Sequence, residues 1–178
     1  MPLEVQRIFE QVTTSRLILR TPSLEDAPAV FSIEGDPETN KYRPTGPMVD
    51  LGEAVKTIDR WREDWLTNGY GYWSIVIPRT SELVGIGGIR KMIWREQDIL
   101  NLYYRFAPKA WGNGYATEVA RVAVQMAVAY LPELPVVARI RPENSASIRV
   151  AQRVGLERRK DLDTDEHLVF AAGWSNQG

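Results

Sequence analysis

Phe106-Ala107-Pro108-Lys109-Ala110-Trp111-Gly112-Asn113-Gly114-Tyr115-Ala116-Thr117-Glu118 joins a run of strand character to a long, nearly all-apolar run of helical period. Two glycines allow a tight turn and a close backbone approach, and the first N–H groups of the helix beginning at Tyr115 have no partner inside it. Such a helix start favours phosphate. Alone, a Gly-x-Gly pattern describes a plain strand-to-helix turn equally well, so its surroundings must decide.

Downstream, residues 115–130 carry one polar stripe, Glu118, Arg121 and Gln125, on a segment otherwise built from Ala, Val, Met and Tyr. A short strand follows at Pro135–Ile140. With Ile99–Phe106 and the helix between, it forms a β-helix-β crossover, expected to be parallel and right-handed with a ligand cleft at the strand ends. The next helix, Asn144–Val154, opens with Asn144-Ser145-Ala146-Ser147 at the same sheet edge as the glycine turn. Asn144 and Ser145 are also ordinary cap residues. Two terminal strands, Leu156–Leu162 and Leu168–Trp174, are joined through Asp163-Thr164-Asp165. Between Arg139 and Lys160 stand seven cations (Arg139, Arg141, Arg149, Arg153, Arg158, Arg159, Lys160) against Glu143 and Glu157. They form either a solvated face or an anion-binding wall.

Upstream, Tyr72–Ile77, Leu83–Trp94 and Ile99–Phe106 are β-rich runs with short links, hence antiparallel neighbours. Gly85-x-Gly87-Gly88 has no helix after it and reads as strand glycines at a bulge. Gly52–Leu66 repeats Ala54, Val55, Ile58, Trp61, Trp65 and Leu66 at amphipathic helical spacing. Before it, Asp36–Pro47 is a proline- and glycine-punctuated loop holding Tyr42 and Arg43. A short helix at 25–34 is capped by Ser23 or, given Pro28, by Asp26. Ser15–Arg20 reads as the first strand. With no repeat or linker, residues 1–178 are expected to form one domain of α/β class with a mixed sheet.

The 178 residues suffice to bury roughly 70% of the unfolded surface around one core. Twenty-two Lys and Arg against 23 Asp and Glu leave a net charge of −1, without the cation excess that nucleic-acid binding draws on. No Cys and one His exclude disulfides, thiol nucleophiles, thiolate zinc sites and multi-His metal clusters, so no metal is expected. Met1-Pro2-Leu3-Glu4-Val5 is not a signal start, and no apolar run approaches the roughly 20 residues of a membrane span. The expectation is a cytoplasmic protein without a membrane or nucleic-acid partner. Serine-hydrolase and P-loop patterns are absent, and Thr117 stands where a dinucleotide fingerprint needs its third small residue.

Lys109-Ala110-Trp111-Gly112-Asn113-Gly114 resembles the Arg/Gln-x-x-Gly-x-Gly/Ala signature of GCN5-related N-acetyltransferases (GNAT). The following Tyr115-Ala116-Thr117-Glu118 is similar to the ribosomal-protein N-terminal acetyltransferase (RimJ/RimL-like) branch. The similarity runs from Ser15-Arg16-Leu17-Ile18-Leu19-Arg20 through Asn144-x-x-Ser147 and Gly155-Leu156 to the terminal hairpin. It implies a twisted mixed sheet of about seven strands with flanking helices and a cofactor cleft between strands four and five, in agreement with the periodicity. It also implies acetyl-CoA as donor. Backbone N–H groups from Trp111 through Ala116 (Trp111, Gly112, Asn113, Gly114, Tyr115, Ala116) would hold the pyrophosphate, and Asn144 the pantetheine arm, with Lys109, Ser147 and Arg153 alongside. Three positions depart from the family. Lys109 replaces a planar side chain, Ala151 stands where many relatives carry a tyrosine acid, and Asn101 stands where the nearest branch carries a carboxylate.

Acetyl transfer needs a neutral amine, a donor to the oxyanion and help for the leaving thiolate. An α-amine with pKa near 8 is partly neutral at pH 7, which makes the missing carboxylate tolerable. A backbone N–H near Tyr103 or Tyr104 is the expected oxyanion donor. Ser147 is either the donor to sulfur or an ordinary first-turn serine. Tyr42, Arg43, Trp73, Tyr103 and His167 are the acceptor-side candidates, although Trp73 and Tyr103 also suit a core and a lone strand histidine is commonly structural. Tryptophans, if exposed, would pair subunits in a homodimer. The reading is therefore transfer of acetyl from acetyl-CoA to a primary amine, either a peptide N-terminus or a small molecule. A non-catalytic acyl-CoA-binding domain of the same fold is the alternative, motivated by Ala151 and Asn101.

Overall fold

The computed structural model describes residues 3–43 and 45–175; Met1, Pro2, Pro44 and residues 176–178 lie outside the described residues, and with them part of the N-terminal reading and one proline of the 36–47 loop. The elements are α1 (Leu3–Glu10), β1 (Gln11–Thr13), β2 (Ile18–Arg20), α2 (Ala27–Glu34), α3 (Leu51–Asn68), β3 (Tyr72–Ile77), β4 (Glu82–Trp94), β5 (Gln97–Phe106), α4 (Tyr115–Tyr130), β6 (Val136–Ile140), α5 (Ser145–Arg153), β7 (Glu157–Arg158) and β8 (Leu168–Ala172). They form one mixed sheet in the order β1-β2-β3-β4-β5-β6-β8-β7. All neighbours are antiparallel except β5 and β6.

The sheet has eight strands where about seven were expected. The addition is β1, which pairs Gln11 with Arg20 and Thr13 with Ile18. Neither this three-residue strand nor α1 was expected, because three residues are too few to show a period. The first expected strand shortens from Ser15–Arg20 to Ile18–Arg20, since Thr14 to Leu17 turn on themselves: Thr14 N–H donates to Leu17 O and Leu17 N–H to Thr14 Oγ1. The terminal hairpin shrinks as well. Only Glu157 and Arg158 ladder onto β8, and Lys160–Leu162 is a single 3₁₀ turn.

The long helix α3 forms where expected because its ends are both satisfied. Asp50 accepts from Glu53 N–H at 2.8 Å, the Glu53 carboxylate takes Val49 N–H in return, and Gly69 at φ 76° closes the last turn. Such a cap contributes about 1 kcal/mol. Ala54, Ile58, Trp61 and Trp65 are buried along one stripe, and Trp65 Nε1 donates to Tyr72 O. The glycines of β4 are strand glycines, as read. A Cβ on Gly87 would lie 2.8 Å from Tyr103 O, and Gly88, at φ +133°, meets the Trp73 ring at 2.8 Å. The bulge falls next to them, where Ile75 pairs with Gly85 but Val76 with Leu83.

Trp73 is a core residue, which corrects its assignment to the acceptor site. Its ring is fully buried and its Nε1 donates to Phe9 O at 2.7 Å. Trp61 and Trp65 are buried too, Trp94 packs edge-on against Trp174, and Trp111 is the half-exposed one. Among the described residues no helix is long and apolar enough to cross a membrane.

Asp26 precedes α2 as expected, but its carboxylate does not cap that helix. It accepts Arg20 at 2.7 and 2.9 Å, Ser23 N–H at 2.9 Å and the Ser74 hydroxyl at 2.7 Å. Burial pushes its pKa up, but the Arg20, Ser23 and Ser74 hydrogen bonds outweigh this and hold it below the usual carboxylate range. The stabilisation is present above the unfolded-state carboxylate pKa and is lost as pH falls through the depressed one. Asp26→Asn should therefore cost about 2 kcal/mol in urea titrations near pH 7. The gap from wild type should close below about pH 4.

Candidate functional site

β5 and β6 pair only at Leu100 with Val136 and Asn101 with Val137, and then diverge. A cleft of about 640 Å³ opens at this splay, lined on one edge by Leu102–Phe106 and on the other by Ala138–Arg141. Along β5 the backbone alternates. Leu100 N–H donates to Pro135 O on the β6 side, while Ala107 N–H donates to Val84 O on the β4 side. The even-numbered residues between them thus direct their N–H groups toward β6. Tyr104 N–H opens into the cleft, whereas Tyr103 N–H faces Gly88 of β4. Of the two expected oxyanion donors, the geometry leaves Tyr104.

The glycine turn closes one end. Gly112 and Gly114 both have φ +77°, the left-handed region, and Gly114 caps α4. Among the described residues, no protein acceptor takes the N–H groups of Gly112 through Thr117, because the first α4 bond runs from Glu118 N–H to Gly114 O. Trp111 N–H is committed to Pro108 O, so the free run is 112–117 and not 111–116. Six unclaimed donors at a helix start fit a pyrophosphate, and this is the test of the expected coenzyme on the protein itself.

Arg16 holds the turn from behind, a role the sequence did not single out. Its guanidinium donates to Asn113 O at 2.7 Å and to Glu118 Oε2 at 2.8 Å, and lies 4.8 Å from the centre of the Tyr115 ring. Glu118 also accepts from Thr14 and Ser15 hydroxyls. Burial raises its pKa, but the Thr14, Arg16 and Ser15 interactions prevail and keep it lowered. Asn113 keeps its side chain on the turn itself, donating from Nδ2 to Ala110 O and Trp111 O, and does not line the cleft. Lys109 is the clearest departure. It pairs with Glu82 and does not line the cleft, so the cation of the expected signature is directed away.

Across the splay, α5 begins with Asn144, whose Oδ1 accepts from Ser147 N–H at 3.2 Å; it is an N-cap and a cleft-lining residue at once. Ser147, Arg149 and Arg153 line the same wall. Tyr104 reaches across to it, its hydroxyl 3.4 Å from Ser147 O, and burial pushes the phenol to about 12. Ala151 is 1% exposed, packs in the core and is not among the residues that line the cleft. Asn101 is likewise withdrawn, donating to the Tyr72 hydroxyl at 2.8 Å.

The opposite half of the cleft lies on the α2/α3 face of the sheet. Tyr42, Arg43, Tyr103 and His167 all line it, as expected. Beneath them is a buried cluster that sequence reasoning missed. Glu34 accepts Tyr103 OH on Oε1 at 2.6 Å and, on Oε2, Arg105 at 2.7 Å and Arg43 at 3.0 Å. Arg105 also reaches Asn40 Oδ1 at 2.8 Å. The readable signal was a carboxylate on the apolar stripe Ala27, Val30, Glu34 of an otherwise apolar helix. Burial first, and then the Glu34 charge, drive the Tyr103 phenol well above its ordinary value.

Residues 16–157 match the family model described as an acetyltransferase (GNAT) domain. An uncharacterized N-acetyltransferase, p20, of Bacillus licheniformis is 28% identical over 150 residues, covering 84% of each chain. Among solved structures, an acetyltransferase from Agrobacterium tumefaciens superposes with a TM-score of 0.77 at 26% identity, covering 91% of this chain and 93% of that one. A ribosomal-protein alpha-N-acetyltransferase, RimL, solved in complex with coenzyme A, superposes at 0.68 with 18% identity over 92% and 97%.

His167 is half-buried at the cleft edge, and burial, then the charges of Arg141 and Arg139, lower its pKa, with Glu166 opposing. It is the chain's single histidine, so NMR titration of its imidazole is unambiguous. The midpoint should fall below 6.5 and should rise in Arg141→Gln.

Proposed function

The chain belongs to the GNAT acetyltransferase family, and from that premise we propose that it moves the acetyl group of acetyl-CoA directly onto a primary amine. The observation that carries this is the run of six unclaimed N–H groups, Gly112 to Thr117, at the mouth of the cleft between β5 and β6. Acetyl-CoA, when bound, supplies the thioester carbonyl. The residues that would hold it are this cradle for the pyrophosphate, Asn144 for the arm, and Arg149 and Arg153 for phosphate charge. Arg149 replaces Lys109 in that role.

In the reaction, Tyr104 N–H receives the charge that develops on the carbonyl oxygen. The Tyr104 hydroxyl, kept protonated by burial, donates to the departing sulfur, with Ser147 beside it, and is reprotonated through solvent as the new amide nitrogen gives up its extra proton. This arrangement supplies the proton that Ala151 cannot. Deprotonation of the amine needs no buried base when the acceptor is an α-amine with pKa near 8, and the lowered pKa of His167 keeps that imidazole neutral beside the entry. Tyr42 and Arg43, on the loop before α3, and Tyr103 contact the acceptor.

Calorimetric titration with acetyl-CoA tests the reading. Wild type should bind, and Gly114→Val, forced out of the left-handed region, should bind at least about tenfold more weakly while staying folded. Tyr104→Phe keeps the backbone donor and loses the acid, so kcat should fall by about 10² with acetyl-CoA affinity unchanged. Absence of binding to folded wild type would refute the proposal. Binding without transfer to any amine would replace it by the non-catalytic acyl-CoA-binding reading.

A further inference from the structure

The two faces of the splayed strands carry different chemistry. Leu102, Phe106, Ala138 and Ile140 belong to the core that α4 and α5 cover, whereas Tyr103 packs with the α2/α3 cluster on the other face. By alternation Arg105, Arg139 and Arg141 share the Tyr103 face. With Lys41 and Arg43 from the loop, five cations line this half of the cleft, and Glu38 is the one carboxylate lining it among the described residues.

Their pairing is incomplete. Glu34 serves both Arg43 and Arg105, leaving one positive charge uncompensated in that cluster. Arg141 has only a 3.4 Å contact with Glu166, whose side chain is 61% exposed. Arg139 is exposed and has no ion-pair partner among the described residues; its guanidinium lies 5.7 Å from the centre of the Trp94 ring and donates from Nη2 to Met92 Sδ at 3.9 Å. A thioether is a weak acceptor and takes one of five N–H donors, so the guanidinium keeps donors for a carboxylate or phosphate. Coenzyme phosphates account for Arg149 and Arg153 on the α5 side, but not for cations facing the other way. The protein as a whole carries a net charge of −1, so this half is a local concentration and not a reflection of composition.

We infer that the acceptor is an acidic amine, one whose amino group is accompanied by a carboxylate or phosphate that Arg139 and Arg141 bind. This rests on the acetyltransferase reading above and names its substrate class. A polyamine or other polycation would meet like charge at every approach. The same positive field favours the neutral form of an ammonium brought into the cleft, which is the form that attacks. Asn101, withdrawn onto Tyr72, adds no negative charge to attract a cation.

The test uses tripeptides of one N-terminal residue, Ser-Asp-Asp, Ser-Asn-Asn and Ser-Lys-Lys, as C-terminal amides, with coenzyme release as readout. Free glutamate against its diamide distinguishes a small molecule from a peptide as source of the carboxylate. We expect kcat/KM for the acidic peptide at least about tenfold above the neutral one, and the basic one weaker still. Arg139→Glu should reverse the order while acetyl-CoA affinity, which reports on the fold and the cradle, stays unchanged. Equal turnover of all three peptides would overturn this inference and leave the acetyltransferase reading standing. If acetyl-CoA binds but neither the peptides nor glutamate is acetylated, that reading fails. Calorimetry of the same peptides on the coenzyme A complex then decides: preference for the acidic peptide sustains the anion site, and its absence overturns it.

Discussion

Everything at the site depends on two parallel strands that do not stay together. β5 forms ten residue pairs with β4 and β6 forms five with β8, but only two join β5 to β6. Each strand is thus held more strongly from outside than from within. Backbone groups past Asn101 and Val137 on the facing edges of β5 and β6 are left without a ladder partner at the middle of a sheet, where unpaired polar groups are costly unless water or a ligand meets them. The wedge is also secured from the sides. Tyr104 spans toward the start of α5, and Leu102, Phe106, Ala138 and Ile140 are buried under α4 and α5.

The splay exposes two kinds of donor to one volume. At one end, the left-handed glycines and the start of α4 present N–H groups in a row, braced by Arg16 through Asn113 O and Glu118. Along the edge, Tyr104 offers its own N–H and a phenol that burial keeps protonated. Ala151 and Asn101, the positions where the resemblance led proton-handling groups to be expected, are both turned away, one into the core and one onto Tyr72. In the proposed reaction the chemistry is concentrated in the β5 backbone and one tyrosine.

Electrostatics divides the cleft into two cationic halves with different neighbours. On α5, Arg149 and Arg153 line the cleft from mid-helix and from the last turn. On the other face, the Glu34 cluster uses one buried carboxylate to fix two arginines and a tyrosine hydroxyl. A charge so deeply buried is tolerable because both carboxylate oxygens accept hydrogen bonds and two guanidinium groups stand against them. The cluster ties the end of α2, the loop at Arg43 and strand β5 together beneath the acceptor side.

Much of this was legible in the sequence. The change from alternating to helical period at Phe106–Tyr115 defines β5, the turn and α4, with α4 found at 115–130 as read. The glycines revealed the left-handed turn because that requirement is local to the backbone. Local patterns determine elements since the residues concerned lie within a turn or two of one another. What tertiary structure alone decided involved residues far apart in the chain. Lys109 pairs with Glu82 across 27 positions, Glu34 meets Arg105 across 71, and Trp73 reaches Phe9 across 64. Which of Tyr103 and Tyr104 opens its N–H into the cleft follows from the β5 register against β4 and β6. A period of two fixes the alternation in sequence, but its phase is set only when the strands pair.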